Sequence, residues 1–247
     1  MNCKSYVATI EARMNSSRLP GKVLLPAGGK PMLQHLVERL KQVQSLSDII
    51  LATTENPTDD ILEDFAKEVG IKCFRGSEED VLSRVIGAAE QCNADVIVEI
   101  SGDCPLIDPE LISQCIEIHK HNHVDFVSNA AISSYPAGMD VSIFSVEVLK
   151  RSESMSTNSL HREHVCLNIV QNPDDFSHLY VIAPPKLHSP DIELVLDEQS
   201  DYELICHLID ELGKDDPFFS CDVIVDYLQS HADVRQINAN VIRKGAT

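Results

Sequence analysis

The first 120 residues alternate short apolar runs with amphipathic stretches, and that rhythm leaves few folds open. Residues 6–10, 48–53, 71–74 and 95–100 read as strands, several of them apolar on both faces, and such strands need cover on both sides. Between them, Leu33, Leu36, Val37 and Leu40 share one face of a helix beginning at Pro31, where proline suits the first turn. A second helix is predicted over 57–69, begun by Asn56 and stopped by Gly70. A third is expected over 78–92, with Ser77 as its cap and Glu79 and Asp80 in its first turn, and a fourth over 109–120. Strand–helix alternation of this kind predicts an α/β fold: a mostly parallel, Rossmann-like sheet flanked by helices. Ligands of such sheets sit outside the carboxyl ends of the strands. Beyond residue 123 the rhythm changes. Strands are expected at 124–128, 139–144, 179–183 and 192–196, and helices at 160–170, 199–212 and 221–230, with a polar connection at 129–138. At 247 residues the chain is expected to form a single domain.

The loop after the first strand carries Arg13, Arg18 and Lys22 among serines and a glycine, Arg13-Met14-Asn15-Ser16-Ser17-Arg18-Leu19-Pro20-Gly21-Lys22, with Gly28-Gly29-Lys30-Pro31 following. Cations, hydroxyls and backbone N–H groups at a strand–helix junction suit a polyphosphate. The spacing is not that of a Walker A loop. An ordinary solvated connection is the plainer reading. Charge distribution favours the former: residues 1–41 hold seven cations and two acids, in a chain whose net charge is −19. One basic island on an acidic protein suits a small, highly charged anion, and argues against nucleic acid, which wants a broad basic face. No apolar run is long enough to span a bilayer and no leader pattern precedes the first strand, so no membrane partner and a cytoplasmic location are expected. Eight cysteines without a C-x-x-C pair argue for reduced, buried thiols and against zinc.

Asp103 lies in a Gly-Asp-x-Pro turn just past a buried strand, and Asp197 ends the apolar run 192–196 in the same way. Two carboxylates at strand ends suit magnesium serving phosphates, since that ion takes few protein ligands. A turn residue and a helix cap are the plainer readings of the two. His119, His121 and His123 do not share a helical face and read as a solvated helix terminus. His164 and Glu163 could reach a substrate from their helix or be structural.

Arg13…Ser17-Arg18-Leu19-Pro20-Gly21-Lys22 with Gly29-Lys30-Pro31-Met32 resembles the signature of the cytidylyltransferases that activate 3-deoxy-ulosonic acids, the CMP-KDO and CMP-sialic acid synthetase group. Phe74–Leu82 (Phe-Arg-Gly-Ser-Glu-Glu-Asp-Val-Leu), Gly102-Asp103-Cys104-Pro105-Leu106-Ile107-Asp108, Tyr135-Pro136-Ala137-Gly138-Met139-Asp140-Val141 and Arg162-Glu163-His164-Val165 resemble, in order, the branch of the spore coat polysaccharide biosynthesis protein F. The likeness implies a nucleotidyltransferase fold with a dimerisation arm at about 129–185, and a homodimer. It implies that Arg13, Ser17, Arg18 and Lys22 hold the triphosphate of CTP, with Arg13, Lys22 and Asp103 catalytic. Ser77 and Ser101 would contact base or ribose, and Tyr135, Asp140, Glu163 and His164 the sugar. Asp103 and Asp197 would be Mg2+ ligands, although Leu196-Asp197-Glu198-Gln199 lacks the family's Thr-Pro. The expected reaction joins an acidic sugar to CTP for surface polysaccharide biosynthesis. A glycosyltransferase of related fold would normally carry Asp-x-Asp, which is absent here. A sugar-phosphate nucleotidyltransferase using another NTP and a non-catalytic nucleotide-binding protein both stay compatible with these motifs.

Overall fold

The computed structural model of the chain describes residues 4–156 and 158–241. In chain order the first half runs β1 (Tyr6–Glu11), a hairpin of β2 (Pro26–Ala27) and β3 (Lys30–Pro31), α1 (Met32–Leu40), β4 (Asp48–Thr54), α2 (Asp60–Val69), β5 (Lys72–Gly76), α3 (Val81–Gln91), β6 (Val96–Ser101) and α4 (Pro109–His121). The second half follows with β7 (Phe126–Ser128), β8 (Ser142–Ser145), α5 (Val146–Met155), α6 (Ser159–Glu163), α7 (Leu167–Gln171), β9 (His178–Tyr180), α8 (Gln199–Leu212), α9 (Cys221–Ser230) and α10 (Ala232–Arg235). Seven strands form one sheet in the order β5-β4-β1-β6-β8-β7-β9. β5, β4, β1 and β6 are mutually parallel, and β8 runs antiparallel to both of its neighbours.

Alternation along β1 divides the interior. Tyr6, Ala8 and Ile10 face a core closed by α1, α2, α4, α8 and α9 through Leu36, Leu62, Ile112, Leu204 and Ile224. Val7 faces the other side with Ile50, Ala52 and Ala88. On that second face Leu82 and Val85 of α3 pack with Leu149 of α5 and Ile169 of α7. β4 follows β1 on one side while β6 returns on the other, so the strand order reverses between β1 and β6, and a crevice opens there at their carboxyl ends.

The punctuation that makes the first half readable does its expected work. Gly70 ends α2 at φ 69°, a left-handed conformation that favours glycine. Pro109 begins α4 as expected, and the structure adds a cap the sequence reading did not name: the Asp108 carboxylate accepts the Glu110 N–H at 2.8 Å. Several expectations need correction. Ser77 does not cap α3: its hydroxyl accepts the Asp80 N–H at 3.0 Å in a turn, and Asp80 itself caps the helix by accepting from Ser83 at 3.0 Å. The guanidinium of Arg84 holds the Ser77 and Glu78 carbonyls, which keeps that turn out of the helix. The helix expected over 160–170 is broken into α6 and α7, with His164 extended between them. Residues 192–196 are extended but form no strand, pairing only through the Ala137–Glu193 bridge. His119 is buried rather than solvated. Its Nδ1 lies 2.8 Å from the Tyr6 hydroxyl, and burial, with Lys4 nearby, lowers its pKa to about 4. The seven described cysteines are free, but only Cys104, Cys115 and Cys221 are buried; Cys73, Cys92, Cys166 and Cys206 are half-buried, contrary to the expectation of buried thiols, and Cys3 lies outside the described residues. No described helix is long and apolar enough to cross a membrane.

Candidate active site

The loop after β1 is held from both ends. The Met14 carbonyl accepts the N–H groups of Ser16 and Gly21, both at 2.9 Å, closing the loop on itself. Gly21 sits at φ 68°, where a side chain would be strained, and the chain then makes one tight helical turn that carries Lys22. From outside the loop, Asp59 is the anchor. Its buried carboxylate accepts the Met14 N–H at 2.8 Å and is held by the Thr53 and Thr54 hydroxyls. The loop therefore presents its cations from a fixed backbone.

Across the crevice Gly102 packs directly on the end of β1. Its N–H donates to the Glu11 carbonyl at 2.9 Å, and a Cβ there would come within 2.6 Å of that oxygen. This close approach brings Asp103 beside the loop. The Leu196 N–H then donates to the Asp103 carbonyl at 2.8 Å, which carries Asp197 to the same point. The Asp201 carboxylate fixes the following turn by accepting the N–H groups of Asp197 and Glu198.

Lys22 is the centre of the result. Its Nζ donates to Asp103 Oδ2 at 2.8 Å and to Asp197 Oδ1 at 2.9 Å. Arg18 Nη2 lies 2.7 Å from the other oxygen of Asp197, and the Ser101 hydroxyl donates to Asp103 Oδ1 at 2.6 Å. Burial alone would lower the Lys22 pKa, but the two carboxylates outweigh it and hold the ammonium above its ordinary value. Arg13, more exposed, faces Glu78 at 3.4 Å. Arg13, Arg18, Lys22, Glu78, Asp103 and Asp197 line one cavity of about 760 Å3, together with Ser17, Glu163 and His164.

The expected site residues therefore divide. Arg13, Ser17, Arg18, Lys22, Asp103, Glu163, His164 and Asp197 line the cavity, and Ser101 touches it through Asp103. Ser77 is spent on the turn before α3. Tyr135 is buried in the main core and is not part of the cavity wall. Asp140 lies behind Asp103, its carboxyl raised by burial and accepting the Gly138 N–H at 3.4 Å. The cavity also contains Glu11, Asn15, Ser16, Glu78, Glu79 and Arg84. Asn15 and Ser16 belong to the loop already singled out. Glu11 and Arg84 carried a signal in hindsight, as charges at core-facing positions of an apolar strand and an apolar helix.

No group of three or more His, Cys, Asp or Glu side chains able to hold a metal occurs among the described residues. Asp103 and Asp197 are nevertheless a fit donor pair for a hard cation: two carboxylates already meet one ammonium nitrogen, and magnesium takes one or two such ligands with water and phosphate oxygens.

The cytidylyltransferase family model matches residues 7–234. The chain belongs to the cytidylyltransferase family. This cytidylyltransferase is 33% identical over 229 residues to the spore coat polysaccharide biosynthesis protein SpsF of Bacillus subtilis, covering 91% of this chain and 94% of that protein. An 8-amino-3,8-dideoxy-manno-octulosonate cytidylyltransferase of Shewanella piezotolerans is 38% identical over 122 residues, 47% of this chain and 48% of the relative. Among solved structures, a cytidylyltransferase from Leptospira borgpetersenii superposes with a TM-score of 0.90 at 29% identity, over 98% of this chain and 100% of that one. A CMP-2-keto-3-deoxy-manno-octonic acid synthetase in complex with CTP shares the fold, with a TM-score of 0.63 at 18% identity over 84% of this chain and 99% of the other. The enzyme is thus a nucleotidyltransferase of the CTP-using kind.

Proposed function

We propose that this cytidylyltransferase joins the anomeric hydroxyl of an acidic sugar, of the 3-deoxy-ulosonic acid type, to the cytidylyl group of CTP, releasing pyrophosphate for surface polysaccharide or glycoconjugate synthesis. The observation that carries the reading is Lys22 held between Asp103 and Asp197, opposite the two arginines of the loop. The names of the relatives support the sugar class: one acts on an octulosonate across the half of the chain it matches, and SpsF spans nearly all of it.

In this reading Arg13, Arg18 and Lys22 neutralise the triphosphate, and Ser17 and the loop N–H groups complete its contacts. Lys22 and Arg18 exchange carboxylate partners for phosphate oxygens as the nucleotide enters. The sugar oxygen bonds to the α-phosphorus, the bond from that phosphorus to the bridging oxygen breaks to release pyrophosphate, and the hydroxyl proton passes to solvent. Alignment of the two reactants accounts for much of the rate. Asp103 and Asp197 would hold Mg2+, which supplies charge neutralisation at the phosphates and activation of the attacking hydroxyl. Glu163 and His164 are the sugar-side candidates within the cavity wall. Ser101 positions Asp103 through its hydrogen bond. The whole chain acts as one nucleotidyltransferase domain, and residues 129–185 form the arm of a homodimer. The reading is tested by thermal unfolding with each NTP and Mg2+: CTP is expected to protect most, and equal protection by all four would refute it.

A further inference from the structure

Three polar atoms of residues that line the cavity are buried without a hydrogen bond: Arg18 Nη1 on the loop, and two on the wall of β1 and α3. Glu11 Oε1, at the end of β1, and Arg84 Nε, on α3, are both shut off from solvent and make no hydrogen bond. The Thr9 hydroxyl lies on the same side of β1 and favours the charged carboxyl, yet it too makes no bond of proper geometry. Arg84 spends Nη1 on the carbonyls of Ser77 and Glu78. Glu11 and Arg84 form no ion pair with each other, although both line the same wall. An unpaired buried acceptor and an unpaired buried donor each cost stability, and folding alone gives no reason to keep them.

We propose that Glu11 and Arg84 read the edge of the nucleobase: Oε1 accepts from an exocyclic amino group, and Nε–H donates to the ring nitrogen beside it. The assignment rests on the CTP reading, which places the triphosphate among Arg13, Arg18 and Lys22 and leaves the wall of β1 and α3 for the base. Cytosine presents an amino donor next to an acceptor nitrogen. Uracil presents an acceptor carbonyl next to an N–H and opposes both groups. Oε1 accepts whether the carboxyl proton sits on Oε2 or is lost, so the pairing does not depend on ionisation. Burial and the neighbouring Glu99 raise the Glu11 pKa well above the usual carboxylate range. Burial also lowers that of Arg84.

The test is calorimetric titration of the full chain with CTP, UTP and the triphosphate of pyrimidin-2-one riboside, which is cytidine without its amino group. Inorganic tripolyphosphate serves as the baseless reference. The wild type is expected to bind CTP roughly tenfold or more tightly than the amino-less analogue, the order of loss for an unsatisfied buried acceptor. Glu11→Met is expected to bind the two alike, and Glu11→Gln, which keeps an acceptor of the same shape, to restore the preference. Retention of the full CTP preference by Glu11→Met would overturn the assignment. So would equal binding of CTP and the amino-less analogue by the wild type, an arm that needs no variant to fold. A wild type that binds tripolyphosphate but gains nothing from any pyrimidine would instead defeat the CTP reading, and this assignment with it.

Discussion

Lys22 serves two arrangements. It neutralises Asp103 and Asp197 in the structure, and under the proposed function it would meet phosphate once CTP binds. Lys22→Ala and Asp103→Asn are each expected to lower turnover by about a hundredfold or more, with circular dichroism unchanged. Near-normal turnover in both would contradict the assigned roles. Lys22→Met leaves two adjacent carboxylates without their shared cation, so its melting temperature should rise with added Mg2+ more than that of the wild type. Glu99 gives a pH prediction of its own. Burial pushes its pKa to about 7, while the Cys166 thiol donates to it at 2.5 Å. The folded state thus prefers the protonated carboxyl. Its contribution is fully present below about pH 4.5 and is lost as pH rises through about 7. Glu99→Gln should therefore gain melting temperature relative to the wild type between pH 5 and pH 8; a constant difference across that range would refute the argument.

At the scale of elements, the site depends on how the loop and the Gly-Asp-x-Pro turn are seated. Asp59 ties the connection after β4 to Met14, so Asp59→Ala should cost about 1.5–3 kcal/mol in denaturant unfolding and weaken CTP binding. Stability close to wild type would mean the anchor is dispensable. The parts of this arrangement that are legible in the sequence are those with local causes. Gly70 and Pro109 fix helix ends through their own backbone preferences, and the basic loop announces itself by charge. What stays hidden depends on contacts distant in sequence. Residues 192–196 have a strand's composition, yet they form a single bridge beside Gly138, which sits at φ 92° and packs against Leu194. His119 reads as a surface residue until Tyr6, from β1, covers it. The Ser77 turn is set by Arg84, seven residues on. Helix α5, which fills the second face through Val148 and Leu149, escapes a sequence reading, its apolar residues being too few to mark a period.

For the whole molecule, the sheet and its main core join both halves of the sequence: Ile10 of β1 shares a cluster with Leu204 of α8 and Ile224 of α9. Unfolding is accordingly expected to be one cooperative transition, with fluorescence and circular dichroism coincident; two separated transitions would contradict the single-domain reading. The same continuity brings Asp197, from the last third of the chain, onto a loop that begins at residue 12. Under the proposed function this assembly transfers a cytidylyl group to an acidic sugar. The most direct test is pyrophosphate release with CTP, Mg2+ and a panel of 3-deoxy-ulosonic acids, against a blank without sugar. Release that requires both CTP and one of the sugars is the predicted result. Release that proceeds equally without sugar or with any NTP, or no release with any member of the panel, would contradict it.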